Sequence, residues 1–194
     1  MELIPLEEEL ELIQRAKQGD EEAWRRLVEV FMQPLCSFLY HYLGNMEDAR
    51  DAAQDAFVRA IANLDGFKES RRFSTWLFTI AANRAKDILK SAANRRSYTV
   101  AELSDNLERQ DERRVLPPDE ETIEKEMMQD LQRAIGELPE KMRAAFSLYY
   151  FEDMGMAEIA KILRSSHGAI KVQISRAREY IARRYPQLND YLKR

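Results

Sequence analysis

The side chains best suited to chemistry lie near the C-terminal end, where positive charge is concentrated. Between Lys161 and Arg184 the sequence holds seven basic residues and one acid, Glu179, although the whole chain has a formal net charge of −4. Lysine and arginine at this density can neutralise phosphate groups. An acidic protein needs such a local patch to bind a polyanion, because its overall charge repels the ligand at long range. We therefore predict a phosphate-binding surface in this stretch.

A helical pattern determines how these basic residues are presented. With Ser166 as N-cap and about 100° per residue, one side of the predicted helix is apolar and faces a core. That side holds Ile170, Ile174, Ala177 and Ile181. A short helix capped by Gly155 and a turn over residues 164–168 come before it. The three parts predict a helix-turn-helix, whose second helix enters the major groove of DNA.

Other kinds of chemistry find little support in the sequence. His41 and His167 are the only histidines and are far apart in the chain, and Cys36 is the only cysteine. An intramolecular disulfide is therefore excluded, and a metal site built from such residues is not expected. No glycine-rich phosphate loop or nucleophile elbow is present. We expect a protein that is not an enzyme and uses no metal and no cofactor.

The sequence shows no recognisable targeting signal. The first residues, MELIPLEEELEL, carry acids where a signal peptide has basic residues followed by an apolar run. No window approaches the roughly 18 apolar residues of a membrane span. We expect a cytoplasmic protein with no direct membrane insertion.

The composition predicts an all-α fold, since helix formers dominate and the chain has six glycines and six prolines. We predict two small helical domains, residues 7–96 and 122–194, joined by an extended linker over residues 97–121. Pro117 and Pro118 exclude a continuous helix in that linker. The first domain is expected to hold a helix kinked at Pro34, a second over 46–64 that buries its alanines with Phe57 and Ile61, and a third over 74–91.

These two blocks resemble a known family. Leu138 to Glu179, LPEKMRAAFSLYYFEDMGMAEIAKILRSSHGAIKVQISRARE, looks like region 4 of a bacterial RNA polymerase sigma factor. Met46 to Leu89, MEDARDAAQDAFVRAIANLDGFKESRRFSTWLFTIAANRAKDIL, looks like region 2. The short linker is similar to that of the extracytoplasmic-function (ECF) group of the sigma-70 family. The resemblance implies a factor that binds core RNA polymerase, directs it to specific promoters and assists promoter melting.

The resemblance implies a contact with the clamp of the largest polymerase subunit through the second helix. The matching residues are Asp48, Asp51, Gln54 and Asp55. At about 100° per residue, positions 51, 54, 55 and 58 form one stripe opposite the alanines that pack inward. Carboxylates on such a stripe suit a basic partner surface.

The resemblance also implies that the loop LDGFKESRRF and the helix after it capture unpaired bases of the −10 element. Phe67 is expected to stack on a base and Asn83 to hydrogen-bond a base edge, because melting exposes both. Lys68, Arg71 and Arg72 are expected to hold the strand backbone. Phe73 and Trp76 fit the apolar stripe of the helix, so we assign them to the core.

For region 4, the resemblance implies contacts with the −35 duplex from Ser166, His167, Lys171, Val172, Ser175, Arg176 and Arg178. Lys171 is the better candidate for a base edge and Val172 for a thymine methyl, whereas Arg176 and Arg178 are expected to hold phosphates. The family usually has a glycine and then an apolar residue where this chain has Arg164 and Ser165. We therefore expect a looser or tilted turn and do not transfer the family's −35 sequence.

The implied partners are core RNA polymerase, through the clamp of its largest subunit and the flap of its second subunit, promoter DNA and an anti-sigma factor. The linker is expected to run toward the polymerase active centre, and its acids fit that path no better than they fit a flexible tether. Two alternatives stay open at this point. A dimeric helix-turn-helix regulator would bind a palindromic duplex without polymerase. A helical interaction protein would use the basic face to meet an acidic partner.

Overall fold

The computed structural model describes residues 4–68, 71–99 and 120–192; for 93–99 and 120–125 it describes the backbone and not the side chains. The described residues form helices and turns and no strand, so the predicted all-α class is confirmed. The α-helices are α1 (Leu6–Lys17), α2 (Glu21–Leu43), α3 (Met46–Ala62), α4 (Phe73–Thr99), α5 (Glu120–Glu137), α6 (Glu140–Tyr150), α7 (Met156–Ile162) and α8 (His167–Arg184). Short 3-10 turns cover Leu64–Gly66 and Pro186–Leu188. We call α1–α4 the N-terminal half and α5–α8 the C-terminal half.

Side-chain caps set the starts of α2 and α3. Asp20 Oδ1 accepts hydrogen bonds from the backbone nitrogens of Glu22 and Ala23 at 2.9 and 3.3 Å, at the start of α2. Asn45 caps α3 in the same way, accepting from the backbone nitrogen of Glu47 at 2.8 Å. Each cap satisfies amide groups that have no partner within the helix. The second predicted helix, over 46–64, accordingly begins at Met46 in the structure.

Several helix boundaries differ from the prediction. Helix α3 ends at Ala62 rather than near 64, α4 extends to Thr99, and α5 already begins at Glu120. Both ends of the predicted linker, 97 and 121, therefore lie inside helices, and the rest of it, residues 100–119, lies outside the described residues. Pro34 lies within α2, which continues to Leu43.

The main hydrophobic core is shared by the two halves. Phe31, Phe38, Tyr42 and Phe78 are buried in the N-terminal half, with Phe73 beside them. The same cluster includes side chains of the C-terminal half, namely Ala144, Ala145, Leu148, Met154, Ile159, Ala160, Ile162, Ile170 and Ile174. A second, smaller cluster lies wholly within the C-terminal half. The halves thus pack together in this arrangement, which the prediction of two linked domains did not include.

Polar contacts accompany this packing of the halves. The His41 ring of α2 stacks on Phe151 with centroids 3.6 Å apart, and His41 Nδ1 lies 2.7 Å from Gln132 Oε1 of α5. Burial lowers the pKa of His41, and the contact with Gln132 opposes this shift. Arg143 of α6 donates to the carbonyl oxygen of Tyr42 at 3.2 Å. Side chains from both halves therefore fix the contact as a specific interface.

Candidate nucleic-acid interface

One exposed side of α3 carries the predicted acidic residues. We call it the α3 face and define it by Asp48, Asp51, Gln54, Asp55, Val58 and Ile61. Asp48, Asp51 and Gln54 are exposed, while the alanines at 49, 52, 53, 56 and 60 are fully buried on the opposite side. Asp55 Oδ2 lies 2.7 Å from Arg84 Nε of α4, so a cation of the same molecule already balances its charge.

The prediction that Ile61 is buried is wrong. Ile61 is 49 % exposed and Val58 is 64 % exposed, so the C-terminal end of the α3 face is apolar. Seven residues at about 100° each place position 61 within about 20° of position 54, on the exposed side of the helix. The same arithmetic, applied to Ile61, could have found it from sequence. An apolar centre beside charged groups is the usual anatomy of a protein-binding surface.

Helix α1 holds both ends of the loop that precedes α4. Lys17 Nζ donates to the carbonyl oxygen of Phe67 at 3.3 Å. Glu9 is fully buried, and its Oε1 accepts a hydrogen bond from the backbone nitrogen of Phe73 at 2.6 Å, while its Oε2 lies 3.7 Å from Arg72 Nε. Burial raises the pKa of Glu9, and the bond from Phe73 opposes that shift. Sequence analysis missed Glu9, because no local pattern links positions 64 residues apart.

The aromatic residues of this region divide differently from the prediction. Phe73 is fully buried, as expected of a core residue. Phe67 is only 4 % exposed, and its ring centroid lies 5.2 Å from that of Trp76 and 5.9 Å from that of Phe73. The faces of Phe67 are thus covered in this arrangement. Trp76, which was assigned to the core, does pack against it, but its indole is only half-buried and also lines a groove.

We call this groove the α4 groove and define it by Arg71, Arg72, Trp76 and Asn83 of the N-terminal half with Lys161 and Arg164 of the C-terminal half. Its volume is about 760 Å³. A second recess of about 500 Å³ also includes Trp76 and Asn83, together with Arg59 and Asn63. Lys68 is exposed but does not line either of the two. The structure therefore groups Arg71, Arg72 and Asn83 as predicted, with Trp76 as the available aromatic ring.

Helix α8 presents its basic side to solvent as predicted. Ile170, Ile174, Ala177 and Ile181 are buried, whereas His167, Lys171, Val172, Arg176 and Arg178 are exposed. Two predicted contact residues already have partners: Ser166 Oγ accepts from the backbone nitrogen of Ala169 at 3.1 Å, and Ser175 Oγ donates to Glu179 Oε1 at 3.2 Å. Ser166 is thus first of all a helix cap.

Removal of this cap has a measurable expected cost. Ser166→Ala leaves a backbone amide of the first turn of α8 without its partner, and should lower the free energy of unfolding by about 1 kcal/mol. Urea unfolding followed by circular dichroism would measure the difference. Ser91→Ala, at an exposed position inside α4, is the matched control and should change stability by no more than about 0.5 kcal/mol. Equal stability of both variants would contradict the assignment of Ser166 as a cap.

The turn between α7 and α8 is closed by regular backbone hydrogen bonds, so the expectation of a looser turn is wrong, while a tilted turn stays a prediction. Arg164 adopts a left-handed backbone conformation with φ of +51°. The backbone nitrogens of Arg164 and Ser165 donate to the carbonyl oxygens of Lys161 at 3.4 Å and Ala160 at 2.9 Å. This is the pair of bonds that ends many helices, normally with glycine at the left-handed position. Arginine there costs roughly 1–2 kcal/mol of backbone strain relative to an unstrained conformation.

The two halves meet at the α4 groove. Thr75 Oγ1 of α4 donates to Glu158 Oε1 of α7 at 2.9 Å.

Within the described residues, no group of three or more His, Cys, Asp or Glu side chains is arranged to hold a metal ion. None of the described helices combines the length and apolar composition needed to cross a membrane. The notable surfaces are therefore the α3 face, the α4 groove and the basic side of α8.

Comparison with known proteins identifies the family to which this chain belongs. Residues 27–95 match the family model of sigma-70 region 2, and residues 128–181 match that of sigma-70 region 4. The chain is thus a sigma factor, a non-enzymatic initiation factor with both DNA-binding regions in the order that the resemblance implied. The ECF RNA polymerase sigma factor SigW of Bacillus subtilis is 32% identical over 182 residues, covering 92% of this chain and 95% of SigW. The chain belongs to the family of ECF RNA polymerase sigma factors.

Solved structures support the fold. The structure of CnrH in complex with the cytosolic domain of CnrY is similar with a TM-score of 0.68 and 23% identity, covering 90% of this chain and 95% of CnrH. The sigma factor RpoE of Bartonella quintana, in complex with the anti-sigma factor NepR, has a TM-score of 0.66 and 21% identity. That match covers 82% of this chain and 94% of RpoE. The helical architecture is therefore that of known sigma factors.

Proposed function

We propose that this sigma factor divides its work among three surfaces. The α3 face binds the clamp of core RNA polymerase, the N-terminal wall of the α4 groove (Arg71, Arg72, Trp76 and Asn83) holds unpaired bases of the −10 element, and α8 reads the −35 duplex. The observation that carries this assignment is that three separate surfaces differ in chemistry: an acidic and apolar face, a cationic groove with a half-buried indole, and a basic helix. Each surface has the charge and side-chain chemistry of the partner assigned to it.

On the α3 face, Asp48, Asp51 and Gln54 provide polar contacts to a basic clamp surface, and Val58 and Ile61 provide the apolar centre. Asp55 contributes less charge than the other acids, because Arg84 already lies against it. Burial of an apolar centre supplies affinity, while complementary charge supplies specificity and a faster encounter. The flap of the second polymerase subunit remains the proposed partner of the C-terminal half.

In the α4 groove, Trp76 stacks on an unpaired base and Asn83 hydrogen-bonds a base edge. Arg71 and Arg72 hold the strand backbone from inside the groove, and Lys68 holds it from the exposed loop. Phe67 packs against Trp76. A direct contact of Phe67 with a base requires its ring to leave its packing against Trp76 and Phe73. Stacking of about 1–3 kcal/mol offsets the few kcal/mol that extrusion of a base costs, so melting needs no nucleotide hydrolysis.

On α8, the proposed readers of the −35 element are Lys171 and Val172, with Arg176 and Arg178 on phosphates. Lys171 and Val172 lie in the first part of the helix, which approaches base edges in a helix-turn-helix. His167 and Ser175 lie close enough along the same side to join them, and Ser166 contacts DNA only while it also caps the helix.

The α8 assignment predicts two different kinds of loss. Arg176→Ala should weaken duplex binding equally for all sequences and lower the slope of log affinity against log salt by about 1. Lys171→Ala should cost about 1–3 kcal/mol on the preferred site and relax the preference at one base pair. Fluorescence anisotropy of polymerase-bound protein on a set of single-base promoter variants would measure both. If Lys171→Ala lowers affinity without any change in base preference, the lysine contacts only phosphate.

Two further proposals concern partners. We place the protein in the bacterial cytoplasm, where core polymerase is, and expect an anti-sigma factor that covers the polymerase-binding surfaces, as an anti-sigma factor accompanies the RpoE of Bartonella quintana. The acidic linker, including Asp105, Glu108, Asp111, Glu112 and Asp119, lies outside the described residues. Its path toward the active centre remains a prediction from the resemblance.

The central experiment is transcription in vitro from a random promoter library, with purified chain and core RNA polymerase. The proposed function predicts initiation at a defined set of promoters only when both are present. A dimeric regulator would instead elute as a dimer and bind a palindromic duplex without polymerase. Failure of the chain to bind core polymerase, or binding without initiation at any defined site, would contradict the proposal.

A further inference from the structure

The positive charge of the α4 groove comes from both halves of the protein. Arg71 and Arg72 come from the N-terminal half, but Lys161 and Arg164 reach the same groove from α7 and the turn after it. No carboxylate is among the groove-lining residues in the described part of the chain. The nearby acid Glu158 accepts a hydrogen bond from Thr75. The groove is thus a site for an anion, and it is complete only while the halves are packed together.

The backbone of Arg164 is a second, independent sign of function. The residue has a φ of +51°, in the left-handed region that favours glycine. A strained position that holds a long cationic side chain instead of glycine points to a role for that side chain. Arg164 lines the α4 groove and also the recess on its other side, which includes Lys86, Lys90 and Lys141. No other described residue of the turn lines both.

The remaining side chains indicate which anion fits. Trp76 offers an aromatic surface for a planar ring, and Asn83 offers an amide donor and acceptor for the edge of that ring. Arginine and lysine suit phosphate oxygens, arginine through two parallel hydrogen bonds. A volume of about 760 Å³ is typical of sites for small ligands. A nucleobase with a chain of phosphates combines all of these requirements.

We propose that the α4 groove of the free, closed protein binds a nucleoside polyphosphate, with the base against Trp76 and Asn83 and the phosphates on Arg71, Arg72, Lys161 and Arg164. The inference rests on the proposed function in one respect, since Trp76 and Asn83 are also the proposed holders of −10 bases. A bound nucleotide therefore competes with the −10 strand and favours the closed arrangement, because only that arrangement brings all four cations together.

Isothermal titration calorimetry on the full-length chain, without polymerase, tests the proposal. ATP and GTP are the nucleotide probes, and adenosine, inorganic triphosphate, a hexaglutamate peptide and a 12-base single-stranded DNA are the comparison ligands. We expect saturable binding of at least one nucleotide at one site per chain. Adenosine and inorganic triphosphate should each bind at least tenfold more weakly than that nucleotide. The proposal is overturned if inorganic triphosphate or hexaglutamate binds as tightly, or if only the DNA strand binds.

Charge variants locate the site. Lys161→Glu with Arg164→Glu should weaken nucleotide binding at least tenfold. The matched control, Arg25→Glu with Arg183→Glu, changes the total charge equally at exposed positions that do not line the groove and should stay within twofold of the parent. Equal weakening in both double variants would mean attraction by overall charge alone and would overturn the proposal. If the first variant still binds the DNA strand at parental affinity, the proposed function is unaffected. The change in nucleotide affinity of that variant then tests the nucleotide proposal alone.

Arg164→Gly separates function from folding. Glycine relieves the left-handed strain, so the melting temperature should rise by a few degrees, while nucleotide affinity should fall at least fivefold. A variant that is more stable and still binds the nucleotide at parental affinity would show that Arg164 is not part of the site.

Discussion

Replacing Asp48 and Asp51 by arginine is expected to weaken binding to core RNA polymerase by at least about 100-fold. In the proposed contact, each substitution removes an attraction to a basic clamp surface and introduces a repulsion. Like charges across an interface cost several kcal/mol, and about 1.4 kcal/mol corresponds to tenfold in affinity. Both side chains are exposed on the α3 face, so the helix should keep its structure. Titration of labelled core polymerase at several salt concentrations would measure the loss.

The control for this result is a second pair of charge reversals, Glu7→Arg with Glu21→Arg. These acids are exposed at the starts of α1 and α2, and the total change in charge is the same. Affinity in the control should stay within about threefold of the parent, because exposed charges far from the contact are screened by salt. Asp55→Ala should have a smaller effect than Asp51→Ala, since Arg84 already balances Asp55. Equal losses from both double reversals would rule out the α3 face as the clamp contact.

Trp76→Ala is expected to lower the fraction of melted promoter by about 10- to 100-fold. The indole is the half-buried ring of the α4 groove, and one base–aromatic stack contributes about 1–3 kcal/mol. Permanganate reactivity of unpaired thymines in the initiation complex would measure the loss. Trp76→Phe keeps a stacking surface and should retain most of the activity.

A promoter whose −10 region is already mismatched distinguishes this role from general damage to the protein. On that template Trp76→Ala should recover most of its initiation, because the energy of separating the strands no longer has to be supplied. Phe67→Ala should behave differently: its ring is buried, so the main expected effect is a loss of about 3–5 kcal/mol of stability. If Trp76→Ala melts the intact promoter at the parental level, the indole does not trap a base.

Local patterns were sufficient for much of the fold. The caps at Asp20, Asn45 and Ser166 each satisfy amides within three residues, and such contacts can be read from neighbouring residues in the sequence. The buried alanines of α3 and the buried isoleucines of α8 also follow directly from helical periodicity. Ile61 was missed, although the same periodicity places it on the exposed side.

The features that sequence analysis could not predict depend on residues far apart in the chain. Glu9 and Lys17 fix the loop before α4 through contacts across 64 and 50 positions. Phe67 is buried in that loop, contrary to the prediction, whereas Trp76 packs against the core as predicted and also lines the groove. The left-handed Arg164 also escaped prediction, because the backbone conformation of a turn is fixed by the helices on either side. Long-range packing, and not local propensity, therefore determines which aromatic ring is available.

The shared core between the halves has a consequence for how far the protein can reach. Arg164 lines the α4 groove, and α8 begins only a few residues later, so the two surfaces that we propose to bind DNA are neighbours. Elements named −10 and −35 are about 25 base pairs apart, roughly 85 Å at 3.4 Å per base pair. A compact chain of 194 residues is only about 40 Å wide. The proposed contact with both elements at once therefore requires the halves to separate. If about one molecule in a hundred is open, the apparent affinity for the promoter falls about a hundredfold.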